Sequence, residues 1–220
     1  MTEKVFLEIL AAHAKWLERD AGGRHANLAG EDLCRMDLRG VDLRGANLVA
    51  AELKNTNLKG ANLRYADLMR TNFFGADLSD ADLYYAAAPC VNFQSALLAG
   101  ASLRNVNLQG ADFRAANLQN IDLYCANLQG ADLRKASLRK ANLQEVNFLD
   151  ADLRGADLRG VKLQNANLRG ANLRDANLQN ANLRDADLEN CVLCDCAFEK
   201  TIISHRGADA YVTITPIADV

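Results

Sequence analysis

The sequence carries no strong charge of either sign. Its 25 lysine and arginine residues are nearly balanced by 28 aspartate and glutamate residues, which leaves a formal net charge of -3. A chain this close to neutral has no bulk electrostatic attraction to nucleic acid or to an anionic membrane surface. Charge therefore disfavours nucleic acid as a partner.

The N-terminal segment lacks the features of a targeting or membrane-spanning sequence. Glu3, Glu8 and Glu18 interrupt its apolar residues, and no unbroken apolar core precedes a cleavage site, so we expect neither secretion nor membrane insertion. The 6 cysteines also show no paired spacing of the kind used by small secreted scaffolds. These absences predict a cytoplasmic protein.

Enzyme signatures are missing as well. His13, His25 and His205 are scattered, and the sequence has no glycine-rich phosphate loop and no histidine and carboxylate set at metal-ligand spacing. We therefore predict no catalytic residue, no cofactor and no metal.

What the sequence does contain is a five-residue repeat. From Leu28 to Phe198 every fifth residue is Leu or Phe, with one exception at Ala88. Two residues earlier stands a small or β-branched residue, usually Ala, with Asn or Asp usually between them. The unit A-(N/D)-L-x-x occurs about thirty-five times, and so short a fixed period indicates one elongated array whose parts contact only their neighbours.

The spacing within the unit predicts a short strand followed by a corner. Two apolar residues separated by one polar residue alternate as in a strand, and the next two positions are polar or glycine as in a turn. Ala and Leu should then face inward. The recurrence of Phe73, Phe93 and Phe113 at intervals of twenty residues predicts four units per coil, hence about nine coils in a rod of roughly 40 Å.

These residues carry a family resemblance. Tandem units such as Ala46-Asn47-Leu48, Ala131-Asp132-Leu133 and Ala171-Asn172-Leu173 resemble the pentapeptide-repeat family. The resemblance implies an all-β solenoid, a right-handed quadrilateral β-helix. We therefore divide the chain into an N-terminal capping helix and linker (1–25), the β-helix (26–200) and a C-terminal cap, strand or tail (201–220).

Both ends of the array need a cover. Residues 2–21 predict one amphipathic helix, with Thr2 as N-cap, Gly22-Gly23 as terminator and an apolar stripe facing the first coil. Trp16 is expected in the core of this cap. At the other end, alternation over Tyr211–Ile217 predicts a closing strand. The apolar positions of the helical stripe are Val5, Phe6, Ile9, Leu10, His13, Trp16 and Leu17.

One irregularity in the repeat predicts a contact site. Ala88 removes core volume, which we expect Phe73 and Phe93 to fill. Several apolar residues occupy outward positions nearby, and contiguous apolar patches often mark interfaces. An alternative interpretation is that Pro89 only kinks one coil while the tyrosines stack on each other. The candidate protein-contact patch comprises Val49, Tyr65, Met69, Phe74, Tyr84, Tyr85 and Pro89.

Two further clusters have simpler interpretations. Arg114, Arg134, Arg154 and Arg174 form a basic column, but aspartates two residues before three of them should neutralise it. Cys191, Cys194 and Cys196 have metal-like spacing, yet in the repeat frame two of them replace inward alanines and Cys194 points outward. These thiols are therefore not expected to converge on an ion.

The leading functional hypothesis is a non-catalytic rod that binds or scaffolds an unidentified protein partner. Family resemblance alone adds an alternative, a DNA mimic that binds a type II topoisomerase such as gyrase and gives inhibition or drug protection. A second alternative is a repeat module of a larger protein. A homodimer formed through one end of the β-helix also remains open.

Overall fold

A computed structural model describes residues 3–203 and 210–211. Helix α1 spans Glu3–Leu17, and strands β1 (Ile202–Ile203) and β2 (Ala210–Tyr211) pair in antiparallel orientation. Among the described residues, no helix is long and apolar enough to span a membrane. Thr2, His205 and residues 212–217 of the predicted closing strand lie outside the described residues.

Between α1 and β1 the chain winds into a solenoid held by a parallel ladder. The middle residue of each unit bridges the residue twenty positions later, from Asn27 with Asn47 to Asn182 with Ile202. The Leu28 N–H donates to the Asn47 carbonyl at 2.7 Å, and the Asn47 N–H donates to the Ala26 carbonyl at 2.9 Å. Each coil therefore contains four units.

Every unit ends in a tight corner. In a representative unit the Ala51 N–H donates to the Leu48 carbonyl at 2.9 Å, and Ala50 adopts φ 55°. Positive φ at the third residue alone is the pattern of a type II turn, which favours glycine. Many corners do carry glycine, such as Gly110 with φ 66°, but others force bulky residues into this conformation.

Asparagine and aspartate at the middle position stabilise these corners. Their Oδ1 atoms accept the N–H two residues later, as Asn47 does from Val49 at 3.1 Å, and this local bond explains why the position favours Asn and Asp. Asparagines also bond from coil to coil. The Nδ2–Oδ1 distances joining Asn107, Asn127, Asn147 and Asn167 are 3.3, 3.0 and 2.9 Å in order.

The interior of the solenoid is a column of alanine and leucine. Through most of the array both inward positions are essentially inaccessible to solvent, including Ala88 at 0% exposure. The phenyl rings of Phe73, Phe93 and Phe113 stack with centroids 5.1 Å apart in both pairs. Phenylalanines twenty residues apart are therefore in register, as the sequence predicted.

Helix α1 lies on the first coil, but its buried stripe is narrower than predicted. Phe6 and His13 are buried, and Ile9 and Leu10 pack against the core. The prediction for Trp16 was wrong, because its side chain is 41% exposed. Its ring lies 4.7 Å from that of His25, at the side of the solenoid rather than in the core.

The helix also ends earlier than residue 21. Its last residue is Leu17, and Arg19 adopts φ 60°. The Asp20 N–H donates to the Lys15 carbonyl at 2.8 Å, and the Arg19 N–H donates to the Trp16 carbonyl at 3.1 Å. This is a Schellman motif, so Arg19 occupies the left-handed position that the sequence pattern assigned to the glycines.

Candidate interaction surface

Three tyrosines form a cluster where two walls of the solenoid meet. The Tyr84 and Tyr85 ring centroids are 4.5 Å apart in edge contact, and Tyr65 lies 6.0 Å from each. Tyr65 is 58% and Tyr85 51% exposed, while Tyr84 is half-buried between them. We call these three residues the tyrosine cluster.

Two members of the tyrosine cluster occupy strained corner positions. Tyr65 and Tyr85 have φ 58° and 56°, a conformation that is unusual for bulky residues and costs roughly 1 kcal/mol or more. Asn105, at the same corner in the next coil, has φ 57° and carries a side chain that tolerates this geometry better. The turn itself therefore gives no reason for tyrosine at either position.

An arginine covers the cluster from one side. The Arg64 guanidinium carbon lies 4.9 Å from the Tyr84 ring centroid and 5.8 Å from that of Tyr65. Partial desolvation raises the pKa of the Tyr84 hydroxyl above its ordinary value, and Tyr85 and Tyr65 add to the effect. Tyr84 therefore remains a neutral donor and acceptor at physiological pH.

The remaining predicted patch residues fall into two groups. Val49, Met69 and Pro89 form one column on the adjoining wall, since the Ala50 N–H donates to Met69 and the Arg70 N–H donates to Pro89. Met69 is exposed, and Val49 and Pro89 are half-buried.

Phe74, although exposed, stands apart from this column. It lies beyond the corner that carries Arg70, and its own wall places it between Lys54 and Gln94 in the neighbouring coils. The tyrosine cluster and the Val49 column are therefore adjacent, whereas Phe74 lies outside that surface.

Sequence reasoning missed apolar residues on the outer walls, of which Leu97 and Ala87 lie nearest the predicted patch. Leu97 is 44% exposed at a middle position usually held by Asn or Asp. Ala87 occupies the same position beside Pro89 and is exposed, so it widens the apolar column. An apolar residue at the middle of a unit was the signal that could have identified both.

The basic column is neutralised by its own aspartates, as the sequence predicted. Arg114, Arg134 and Arg154 each place Nη2 2.6 Å from the carboxylate two residues earlier. The next coil adds longer contacts of 3.7 Å, from Arg114 to Asp132 and from Arg134 to Asp152. A mixed-charge wall of this kind offers little free positive charge to a nucleic acid.

Of the three C-terminal cysteines, two occupy inward positions of the solenoid and one lies on its outer wall. Cys191 and Cys196 are half-buried and Cys194 is exposed. Burial raises the pKa of Cys191 to about 12 and that of Cys196 to about 11. The Cys196 Sγ also donates to the Leu173 carbonyl at 2.8 Å. Both inward thiols therefore stay protonated and serve packing.

A four-unit coil, a left-handed residue at most corners and inward Ala and Leu together define a four-sided β-solenoid repeat protein. The family model for pentapeptide repeats matches the sequence in 8 copies, over residues 24–54, 51–84, 90–123, 121–160 and 156–195. The chain belongs to the pentapeptide-repeat family.

Solved structures support the same fold. HetL of the cyanobacterium Nostoc sp. strain PCC 7120, a pentapeptide-repeat protein involved in heterocyst differentiation regulation, is 33% identical, with TM-score 0.63 over 86% of this chain and 94% of its own. A trypsin-treated variant of QnrB1, a plasmid-mediated fluoroquinolone resistance protein, is 22% identical, with TM-score 0.73 over 81% and 90%. No functionally curated protein matches the sequence. The chain is accordingly a right-handed quadrilateral β-helix.

Proposed function

We propose that this protein is a non-catalytic rod that binds a protein partner through the tyrosine cluster and the adjoining Val49 column. One observation carries the proposal. Tyr65 and Tyr85 are half exposed at corners where their φ values of 58° and 56° cost energy. Exposed aromatic residues that destabilise the turn they occupy are more readily explained by contact with another molecule than by a role in that turn.

The architecture suits a scaffold. We propose that about nine coils, covered at one end by α1, form a rigid rod whose walls hold side chains at fixed spacing. Similarity to HetL, which is involved in the regulation of differentiation, supports a regulatory rather than a catalytic role. A cytoplasmic location is part of the same proposal.

Affinity capture from the native host tests the proposal with substitutions that the array itself suggests. Tyr85→Asn copies Asn105 in the next coil, and Met69→Gln copies Gln109 at the equivalent wall position two coils later. The double variant should fold normally, since both residues suit their positions. Wild type should recover a specific partner that the double variant loses.

Leu149→Gln provides the matched control. Leu149 is half-buried on the same wall as Met69, four coils further along, and it follows Gln129 in that column. This variant should retain the partner. Equal recovery by the Tyr85→Asn/Met69→Gln variant and wild type would remove the tyrosine cluster from consideration.

The topoisomerase alternative finds less support. Mimicry of DNA requires a strongly negative surface, yet residues 26–200 contain 22 acidic and 20 basic residues, a net charge of 20 minus 22, or -2. Likeness to QnrB1 at 22% identity concerns the fold alone. A gyrase supercoiling assay tests this alternative directly, with inhibition or drug protection as the result that would favour it.

A further inference from the structure

Beside the tyrosine cluster, one wall alternates arginine and tyrosine at the position after the inward leucine. The residues in order are Arg64, Tyr84, Arg104 and Tyr124, one per coil. Arg64 lies over the Tyr84 ring at 4.9 Å and Arg104 lies over the Tyr124 ring at 5.2 Å. The same arrangement is therefore repeated two coils apart.

Arg64 and Arg104 have longer ion pairs than the arginines that follow an aspartate by two residues. Where Asp stands two residues before Arg, the pair is close, as with Arg114 and Asp112 at 2.6 Å. Arg64 instead reaches Asp82 at 3.4 Å, and Arg104 reaches Asp122 at only 3.8 Å. These longer contacts leave much of the hydrogen-bonding capacity of both guanidinium groups unused.

Ser102 is the reason that Arg104 lacks a close partner. It occupies the position at which Asp112 pairs with Arg114, and a serine side chain cannot form that ion pair. Within residues 3–203 the Arg104 guanidinium is not a donor in any side-chain hydrogen bond, and the Asp122 contact is too long to be one. Arg104 thus has only a distant ion-pair partner, and a serine stands where a close carboxylate would lie.

This position is part of a shallow cavity. A volume of about 340 Å³ is lined by Arg64, Asp82, Tyr84, Ser102 and Arg104. Two guanidinium groups and two hydroxyl groups face one carboxylate, that of Asp82, which Arg64 already contacts. The Tyr84 hydroxyl interacts with Tyr85, so the donors left in the cavity belong to Arg104 and Ser102, and they select an anion.

We propose that this cavity, the Ser102 pocket, binds a carboxylate side chain of the protein partner, which accepts hydrogen bonds from Arg104 and from the Ser102 hydroxyl. The proposal rests on the proposed function, since Tyr84 lines the pocket and belongs to the tyrosine cluster. A partner segment that places an acidic residue in the pocket would lay its apolar side chains on Tyr85 and Tyr65. The partner is thus expected to present an acidic residue next to apolar ones.

The chain offers a matched pair of variants to test this. Ser102→Asp supplies the missing carboxylate and recreates the Asp-Leu-Arg unit of Asp132, Leu133 and Arg134, so it should fold and fill the pocket from within. Ser137→Asp makes the same change in Ala136-Ser137-Leu138-Arg139. This unit has the same four residue types as Ala101-Ser102-Leu103-Arg104 but lies on another wall. The substitution there alters charge equally without touching the pocket.

The measurement is a titration of the full chain with sodium acetate, in which nuclear magnetic resonance detects the arginine Nε–H signals at each step. A titration with sodium chloride at matched ionic strength is the reference. Wild type and Ser137→Asp should show saturable shifts at Arg104. In Ser102→Asp the apparent affinity should fall by at least roughly tenfold, because an internal carboxylate competes for the same donors. Equal acetate binding in Ser102→Asp and wild type, or no saturable shift in wild type, would overturn the proposal.

Two further measurements distinguish failure of the pocket proposal from failure of the proposed function. Sodium phosphate tests a phosphorylated source, and saturable binding of phosphate without acetate would overturn the carboxylate assignment. Affinity capture with Ser102→Asp then asks whether the partner uses the pocket. Loss of a partner that Ser137→Asp retains supports the inference, whereas full recovery of that partner overturns it and leaves the role of the tyrosine cluster intact.

Discussion

The Nδ1 atom of His13 accepts the backbone N–H of Ala26 at 3.0 Å, which joins helix α1 to the first residue of the solenoid. His13 is 1% exposed. Because Nδ1 is the acceptor, the neutral ring carries its proton on Nε2, and that nitrogen is buried without a hydrogen-bond partner among the described residues. The contact therefore requires neutral imidazole.

Acid should weaken the attachment of α1. Burial, with help from an electrostatic interaction with His25, lowers the pKa of His13 below its ordinary value of 6.5. Between the two pKa values the unfolded segment binds more protons than the folded one, so stability is complete above pH about 6.5 and falls below it by up to about 1.4 kcal/mol per pH unit. Urea unfolding followed by fluorescence of Trp16, the only tryptophan, should have a lower midpoint at pH 5.5 than at pH 7.5.

His13→Asn is the control for this pH dependence, because an amide oxygen can replace Nδ1 as acceptor without titrating. The difference between the two midpoints should disappear in His13→Asn and persist in His25→Gln. An unchanged difference in His13→Asn would assign the effect to another group.

Asp152 should contribute to stability mainly through its turn. Its Oδ1 accepts the Arg154 N–H at 3.2 Å, and its carboxylate also pairs with the Arg154 guanidinium at 2.6 Å. Asparagine keeps the first bond, as Asn172 shows by accepting the Arg174 N–H at 3.1 Å. Asp152→Asn should therefore cost less than about 1 kcal/mol, the value of a surface ion pair, and Asp152→Ala should cost about 1 kcal/mol more.

The pH dependence of the Asp152 variants provides the check. The hydrogen bond from Arg154 lowers the pKa of Asp152, so its ion pair stabilises the fold above the ordinary aspartate pKa and is lost as pH falls through the lowered value. The gap in urea midpoint between wild type and Asp152→Asn should close in acid. A constant gap would mean that the substitution acts through something other than charge.

The fold could be predicted in unusual detail because a single local pattern is repeated throughout it. An inward Leu at every fifth residue and Phe73, Phe93 and Phe113 at intervals of twenty fix both the faces and the coil length, and stacking in register then follows. Errors arose where the repeat stops. The exposure of Trp16 depends on how α1 tilts on the first coil, which its own periodicity does not determine.

The candidate surface was predictable only in part for a related reason. Outward apolar residues such as Tyr65 and Met69 can be read from their frame positions, and the structure finds them exposed. The Ser102 pocket could not be predicted from the sequence. It depends on Arg64 and Arg104 contacting aspartates eighteen residues later rather than aspartates within their own units. Which aspartate each arginine contacts is determined by side-chain conformations that extend from one coil to the next.

Ala88 offers a test of how the core compensates for a missing leucine. It is fully buried, and Phe73, Phe93 and Phe113 lie stacked on the neighbouring face. If phenyl rings fill the space, Ala88→Leu should overpack the coil and destabilise it by about 1–3 kcal/mol. In the Ala88→Leu/Phe93→Leu double variant the cost should be smaller than the sum of the two single costs by at least about 0.5 kcal/mol. Additive costs in urea unfolding would show that the two sites do not share volume.

The corner occupied by Tyr85 separates a structural role of the tyrosine cluster from a binding role. At Tyr85 φ is 56°, and Tyr85→Asn places there a residue that tolerates this conformation, which stabilises the fold by roughly 1 kcal/mol. The same change removes ring contacts with Tyr84 and Tyr65, which destabilises it by about 0.5–1.5 kcal/mol. The free energy of unfolding from urea titration should therefore change by less than about 1 kcal/mol. Asn165→Tyr, the reverse change at the same corner four coils later (φ 58°), lies between Glu145 and Asp185 in that column, so it adds the strain without an aromatic ring to stack on and should destabilise by about 1 kcal/mol. A neutral Asn165→Tyr variant would contradict the strain argument, and a strongly destabilised Tyr85→Asn variant would make the cluster a structural element instead of a binding surface.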